Sequence, residues 1–336
     1  MKPTIYDVAK EAGVSIATVS KVLNNTGRIS EKTRKKVLEI INRMDYHPSG
    51  VAAALTGKKT FTIGVLVPDI ANTFFAEVAR ALENKAREMG YAIILCATDY
   101  KSEREREYLD LLLKKQVDGV IMATEPNDLE PFRKLSERQV PLLLFSVDQL
   151  SVASNVVTTD NVRGGYIAGQ YLVKKGHRRL GMIVERKRQS GRARLSGFQQ
   201  ALAEEGIDLE ERFIIDTRST ITEARQAAQH LLSLDEKPTA VFTANDLIAV
   251  ILINEARKAG LRIPEDLSVI GFDNTIHAEI VDPGLTTIAQ PIEELASYAF
   301  HQLLQSIERS TMAGHRIMLS PELIERASVL DLSNTK

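Results

Sequence analysis

At 336 residues, with 44% apolar and 26% charged side chains, the chain has material for more than one core, which excludes a disordered polymer. A single cysteine, Cys96, rules out a disulfide framework within one chain; no apolar run has the length of a signal peptide or membrane span, so the expected compartment is the cytoplasm. The net charge of −1 conceals an asymmetry: residues 1–60 carry 11 Lys and Arg against 5 Asp and Glu, a net of +6, leaving −7 on the remainder.

In chain order, Thr4 and Asp7 have the spacing of a reciprocal cap, and Ile5, Val8, Ala9 and Ala12 form one face of a first helix that stops at Gly13. Ser15 caps a second helix, with Val19, Val22 and Leu23 inward and Ile16, Ala17, Ser20 and Lys21 outward. Such an outward face suits a recognition helix in a major groove. A third helix follows Ser30, with Val37, Leu38, Ile41 and Met44 predicted to be buried. A three-helix bundle without a ligand shares this pattern; the local charge of +6 favours DNA, because neutralised phosphates release counterions.

Residues 46–60, YHPSGVAAALTGKKT, read as a connection in which Ser49 caps one short turn and small residues allow a second copy to approach. So short a helix is marginal alone, Gly50 weakens it further, and it is expected to order only on DNA. Beyond residue 60, FTIGVLVP, YAIILCAT, VDGVIMAT and VPLLLFSV read as buried parallel strands, with helices near 73–89, 102–115 and 129–137. RRLGMIVE, RFIID, TAVFTA and LSVIGF repeat the theme, with helices near 161–175, 192–205, 220–233 and 245–259. Two doubly wound α/β units follow, and ligands of such units bind at the carboxyl ends of the strands.

The segments IYDVAKEAGVSIATVSKVLN and TRKKVLEIINRMDYHPSGVAAAL closely resemble the DNA-binding and hinge segments of the lactose-repressor (LacI/GalR) family. The resemblance continues through VPDIANTFFAEVARALE, TANDLIAV, VIGFDNT and LTTIAQPIEELA, which are similar to the family's sugar-binding-protein-like body. The implied fold is an all-α helix-turn-helix head on an α/β periplasmic-binding-protein-like body of two doubly wound parallel-sheet subdomains. The expected division is a head at 1–48, a hinge at 49–60, a first subdomain at 61–160 and 291–319, and a second at 161–290 and 320–336. The crossings near 290 and 320 come from the resemblance alone.

Ile16, Ala17 and Lys21 match the family's specificity positions. The first two suit thymine methyl groups or close approach, and Lys21 can donate to guanine. Thr4, Tyr6, Ser15, Thr18 and Asn24 suit phosphates or support of the helix, while Arg28 can reach either a base or the backbone. Leu55 matches the apolar wedge that enters the minor groove from paired hinge helices. For the effector, Asn72, Phe74 and Phe75 follow the first body strand. Phe75 continues inward to Val78, Ala79 and Leu82, which leaves Phe74 less well explained by packing; one of the two rings is expected to stack on a ligand. Asn245, Asp273 and Gln290 match ligand contacts of the family, though caps and turns use the same residue types. Asp246, beside Asn245, also reads as a cap candidate. Arg192 and Arg194 are placed at a helix start, where the dipole disfavours cations. Arg194 matches the family's ligand-binding arginine, and the neighbouring run Glu185–Arg188 raises the option of an anionic effector; a solvated charge run is the commoner explanation.

The six histidines lack metal spacing, and Cys96 has no base partner nearby in sequence, so no catalytic constellation, metal site or cofactor is expected. The expected protein is a homodimeric regulator that binds a palindromic operator and a sugar, sugar phosphate or sugar acid, without a membrane partner. The C-terminal SVLDLSNTK has no heptads for further assembly. Control by a protein corepressor is the alternative mode. A solute-binding protein would account for the body alone.

Overall fold

The computed structural model describes residues 3–23, 26–46, 59–126, 129–149, 155–218, 220–309 and 314–333. The predicted DNA contacts Asn24 and Leu55, and the hinge apart from Lys59 and Thr60, lie outside the described residues. The chain forms two compact units, 1–60 and 61–336.

The first unit holds α1 (Ile5–Ala12), α2 (Ile16–Leu23) and α3 (Glu31–Arg43). Thr4 and Asp7 close a capping box, and Gly13 ends α1 in the left-handed region at φ 66°. Val8, Val19, Val22, Val37, Ile40 and Ile41 share its core. Leu38, predicted to be buried, is instead exposed and Ile40 takes its place. The buried stripe of α3 runs through 37, 40, 41 and half-buried Met44, the i, i+3, i+4, i+7 spacing of a helix, and Leu38 falls off it.

The second unit contains two six-stranded sheets. The first has the order β11-β5-β4-β3-β1-β2 and is built from β1 (Thr62–Val67), β2 (Ala92–Ala97), β3 (Gly119–Met122), β4 (Leu142–Phe145), β5 (Asn155–Thr159) and β11 (Arg316–Leu319). The second has the order β12-β10-β9-β8-β6-β7, from β6 (Leu180–Val184), β7 (Ile214–Asp216), β8 (Ala240–Thr243), β9 (Ser268–Asp273), β10 (Thr286–Ala289) and β12 (Glu322–Ile324). All pairings are parallel except β10 with β12. The helices of the first half are α4 (Thr73–Glu88), α5 (Ser102–Lys114) and α6 (Glu130–Glu137). Those of the second are α7 (Asn161–Lys174), α8 (Gln189–Glu204), α9 (Ile221–Leu232), α10 (Asp246–Lys258) and α11 (Ile276–Ile280). α12 (Ile292–Arg309) returns to the first sheet and shares its core through Leu295, Ala299, Phe300 and Leu303.

The chain therefore changes sheet after β5, after β10 and between β11 and β12. Periodicity alone missed β5, β10, β11, β12 and α11, and α12 was expected, over 291–307, from the resemblance only. Two elements differ in phase from expectation. α4 buries Phe74, Val78, Ala81, Leu82 and Ala86, while Phe75 and Ala79 are half-buried, so the inward stripe starts one residue earlier than predicted. α8 begins at Gln189, which puts Arg194 on its second turn and on its buried face. α7 and α8 sit backbone against backbone: a Cβ on Gly165 would overlap the Arg194 carbonyl, and one on Gly197 the Val162 carbonyl.

Candidate functional site

On the head, the exposed face of α2 carries Ile16, Ala17 and Lys21 in one stripe, with Ile16 39% exposed although it is a large apolar side chain. Tyr6 stands out from α1 at 69% exposure, and Arg28 is exposed in the loop before α3. Ser15, Thr18 and Thr4 are tied into the helix starts: the Thr18 amide donates to Ser15 Oγ at 3.1 Å, and Thr4 Oγ1 donates to Asp7 Oδ2 at 2.7 Å. The bonds from Thr4 hold the Asp7 carboxyl below its ordinary range. Gly27, at φ 72°, leaves room for the Lys21 stem, since a Cβ there would come to 3.2 Å from Lys21 Cδ.

In the body, the carboxyl ends of both sheets meet around a cleft of about 640 Å³, its open mouth included. Asn72, Phe74, Phe75, Arg194, Asn245, Asp273 and Gln290 all line it. Arg192 does not: it is exposed and donates to the carbonyls of Arg186 and Lys187, each at 3.0 Å. The buried stripe of α8 runs through Gly191, Arg194, Gly197, Phe198, Ala201 and Leu202, and Arg192 falls off it. Phe74 and Phe75 meet edge to face with ring centroids 5.1 Å apart, so both rings reach the cleft although Phe74 also belongs to the core.

The polar floor is a chain of bonds. Thr159 Oγ1, at the end of β5, donates to Gln290 Oε1 at 2.6 Å, and Gln290 Nε2 donates to Asp273 Oδ1 at 2.7 Å. Arg194 Nη2 lies 3.9 Å from Asp273, its Nε donates to Asn161 Oδ1 at 2.8 Å, and its Nη1 donates to the Ala244 carbonyl. The guanidinium stacks 3.5 Å from the Phe272 ring centroid. Burial lowers the Arg194 pKa, opposed by Asp273, Glu185 and Asp246, and burial raises Asp273 well above the ordinary carboxylate range despite Arg194. Thr159 ends β5 and Gln290 directly follows β10, the strands from which the chain changes sheet, so one hydrogen bond ties two of the three crossings together. Asn72 and Asn245 cap α4 and α10 through their side-chain oxygens, and Asn245 Nδ2 lies 3.4 Å from Glu185 Oε2.

Sequence reasoning missed Tyr100, Glu125, Ser146 and Asn161, which line the cleft together with Glu185 and Arg188 of the charged run. Tyr100 and Glu125 follow predicted strands and Ser146 is the penultimate residue of one, so the strand-end rule could have found these three. Ser146 and Tyr100 have φ of 57° and 59°, a turn geometry that the residue types do not announce. Ser146 Oγ is buried and has no hydrogen-bond partner. Arg188 stacks 4.1 Å from the Tyr100 ring centroid, across the cleft. Of the basic run, Arg186 turns away to pair with Glu211 at 2.6 Å, which leaves Arg188 and Arg194 facing Glu125, Glu185 and Asp273. Such a lining is mixed in charge rather than basic.

Both rims of the cleft are bridged. On one side, Gln189 accepts from the Asp148 amide at 3.0 Å and donates to the Asp148 carbonyl at 2.9 Å, while its own amide donates to Glu125 Oε1 at 2.7 Å. On the other, Thr73 Oγ1 meets His277 Nε2 at 2.7 Å and the Ile276 amide donates to Glu77 Oε1 at 3.0 Å. Among the described residues, no cluster of three metal-ligating side chains occurs and no helix is long and apolar enough to cross a membrane.

Residues 4–49 match the model of bacterial regulatory proteins of the lacI family, and 170–329 that of a periplasmic binding protein-like domain. The HTH-type transcriptional regulator DegA of Bacillus subtilis is 43% identical over 99% of this chain and 100% of its own length. Catabolite control protein A of Priestia megaterium is 37% identical over 97% of this chain and 98% of its own. The crystal structure of the Lac repressor dimer bound to operator and the anti-inducer ONPF matches with a TM-score of 0.87, at 27% identity over 98% of this chain and all of that one. A LacI family regulator from Enterococcus faecium with bound ribose matches with a TM-score of 0.73, at 33% identity over 81% of this chain and 99% of that one. These relatives are regulators rather than enzymes.

Proposed function

The chain belongs to the LacI family of bacterial regulatory proteins and is a DNA-binding transcriptional regulator; from that premise we propose that it is a cytoplasmic, homodimeric repressor of carbohydrate-related genes, switched by a small molecule held in the body cleft. One observation carries the effector reading. Seven side chains scattered from 72 to 290 and expected from sequence to touch a ligand line one cleft, with aromatic rings on one side and a hydrogen-bonded polar floor on the other. Rings that stack and side chains that donate and accept are what a sugar needs. The balance of two arginines against three carboxylates supports a neutral sugar over a sugar phosphate or sugar acid. The ribose-bound relative agrees with that choice.

On the DNA side, Ile16, Ala17 and Lys21 read bases in the major groove of each half of a palindrome, and Arg28 reaches a base or the backbone. Thr4, Tyr6, Ser15, Thr18 and Asn24 hold the phosphates or the helix that reads them. Leu55 serves as the minor-groove wedge of a paired hinge. The sugar acts by shifting the population between open and closed clefts, and operator affinity follows. The test is selection of genomic fragments by the purified full chain, followed by operator binding with ribose, other neutral sugars, sugar phosphates and sugar acids. Recovery of a palindrome whose binding responds to a neutral sugar is expected. A response confined to anionic sugars would overturn the choice of ligand, and no enriched sequence would overturn the operator reading. The similarity to catabolite control protein A favours a second mode, control by a protein corepressor, which an operator complex indifferent to every sugar would support.

A further inference from the structure

Asp246 is fully buried beside the cleft and plays no part in capping its helix, because Asn245 accepts the α10 amide. Its carboxylate instead reaches beneath the neighbouring strands. Oδ2 accepts from the Thr275 amide at 2.7 Å and from Thr275 Oγ1 at 3.1 Å, and Oδ1 accepts from Thr287 Oγ1 at 2.6 Å. The space exists because residue 271 is glycine; a Cβ there would overlap the carboxylate. What this anchors is the turn after β9. Asp273 and Asn274 have φ of 116° and 59°, a region that non-glycine residues hold only when their surroundings impose it. Asp246 holds the turn from one side, and Arg326 from the other by donating to Asn274 Oδ1 at 2.8 Å and the Leu285 carbonyl at 2.9 Å. The turn points in two directions at once. It presents Asp273 to the cleft floor, and its next residues, Ile276 and His277, make the two bonds to Glu77 and Thr73 of the other half.

We propose that Asp246 is the positioning residue of the cleft: by fixing the turn 273–277 it sets the Asp273 acceptor and the rim contacts that keep the two halves closed. The significance of Asp273 rests on the effector reading above, but the closure does not, so the test uses the unliganded full chain. Amide hydrogen exchange is compared between the wild type and Asp246→Asn, which retains size and removes one acceptor oxygen. Protection at Thr275 and Ile276 is expected to fall at least tenfold. The far-rim amides of Asp148 and Gln189 should fall with it, because opening one rim opens the other, while Val241 and Phe242 in β8 keep their protection. Loss at Thr275 alone, with Ile276, Asp148 and Gln189 unchanged, would overturn the link to closure. Uniform loss through β8 would show a merely structural carboxylate and would overturn the proposal too. If Asp246→Asn does not fold, Thr287→Val keeps the carboxylate and removes one donor, and the same pattern is expected at a smaller amplitude. Thr275→Val against Thr275→Ser adds a rescue: serine restores the protection at Ile276 and valine does not. Because no sugar is present, a failed sugar response and a failed turn coupling remain separate results.

Discussion

Lys21 and Arg34 are both cationic residues of the head, but one lies on the exposed stripe of the second helix and the other on the third. Lys21→Ala is expected to cost about 1–3 kcal/mol on its preferred operator and to relax the choice of base at one position. Arg34→Ala should weaken all DNA alike and lower the salt slope by about 1. Anisotropy titrations on matched and substituted operators at several salt concentrations separate them; two variants that merely scaled affinity would remove Lys21 from the base-reading role. Asp7 gives a second residue-level test. Its carboxyl is held low by bonds from Thr4 that the unfolded chain lacks, so its contribution is complete above about pH 4, the unfolded value, and is lost as pH falls through the lower folded value. Thr4→Ala should cost about 1 kcal/mol at neutral pH, with the deficit shrinking in acid melts. These positions were legible because a cap and a helix face are local. Arg192 and Arg194 were not separated in the sequence, although the glycines at 191 and 197 share the buried stripe of the helix with Arg194 and not with Arg192.

At the scale of elements, the contact between the helices that begin at Asn161 and Gln189 decides where Arg194 stands. Gly165 lies under its carbonyl, and Gly197 lies under Val162. Gly165→Ala should push the helices apart and cost about 1–3 kcal/mol or more, the range of overpacking, because backbone rather than a flexible side chain must yield. Thermal melts measure the cost. The melting temperature should fall, and the response to the proposed sugar effector should weaken with it as Arg194 shifts; an unaffected melt would mean that the two helices are not in contact. Eight strands stood out in the sequence as apolar runs. The strands over 155–159, 286–289, 316–319 and 322–324 did not, because they are short, rich in threonine or half-exposed, and their identity as strands comes from the neighbours they join.

For the whole molecule, the two halves of the body are held around the cleft by bonds across both rims. Gln189→Ala deletes two side-chain bonds to Asp148, worth about 1–2 kcal/mol together, and should weaken binding of the proposed sugar effector by close to tenfold. Calorimetry on the full chain checks this, and unchanged affinity would mean that binding does not require closure. Burial raises both Asp246 and Asp273 above the carboxylate value of about 4 in an unfolded chain. Stability from these groups is therefore complete below that value and is lost as pH rises through their folded values, opposite in sign to Asp7. Relative to Asp246→Asn, the wild type should gain stability as the pH is lowered from 7 toward 4, read from denaturant midpoints; a constant difference would show that Asp246 does not titrate in this window.

By itself the sequence determined what is written in short-range spacing and composition: the capped helices of the head, the charge that marks it, the alternation of strands and helices in the body, and the family motifs that name candidate contacts. Apolar periodicity and capping act over a few residues, so one chain suffices to read them. Only the tertiary structure decided which candidates meet. Asp273 and Gln290 are joined to Thr159 across more than a hundred residues, Asp246 reaches a turn nearly thirty residues away, and Gln189 bonds to Asp148 across the cleft. Those contacts depend on sheet order and on where the chain crosses between sheets, and no local pattern encodes either.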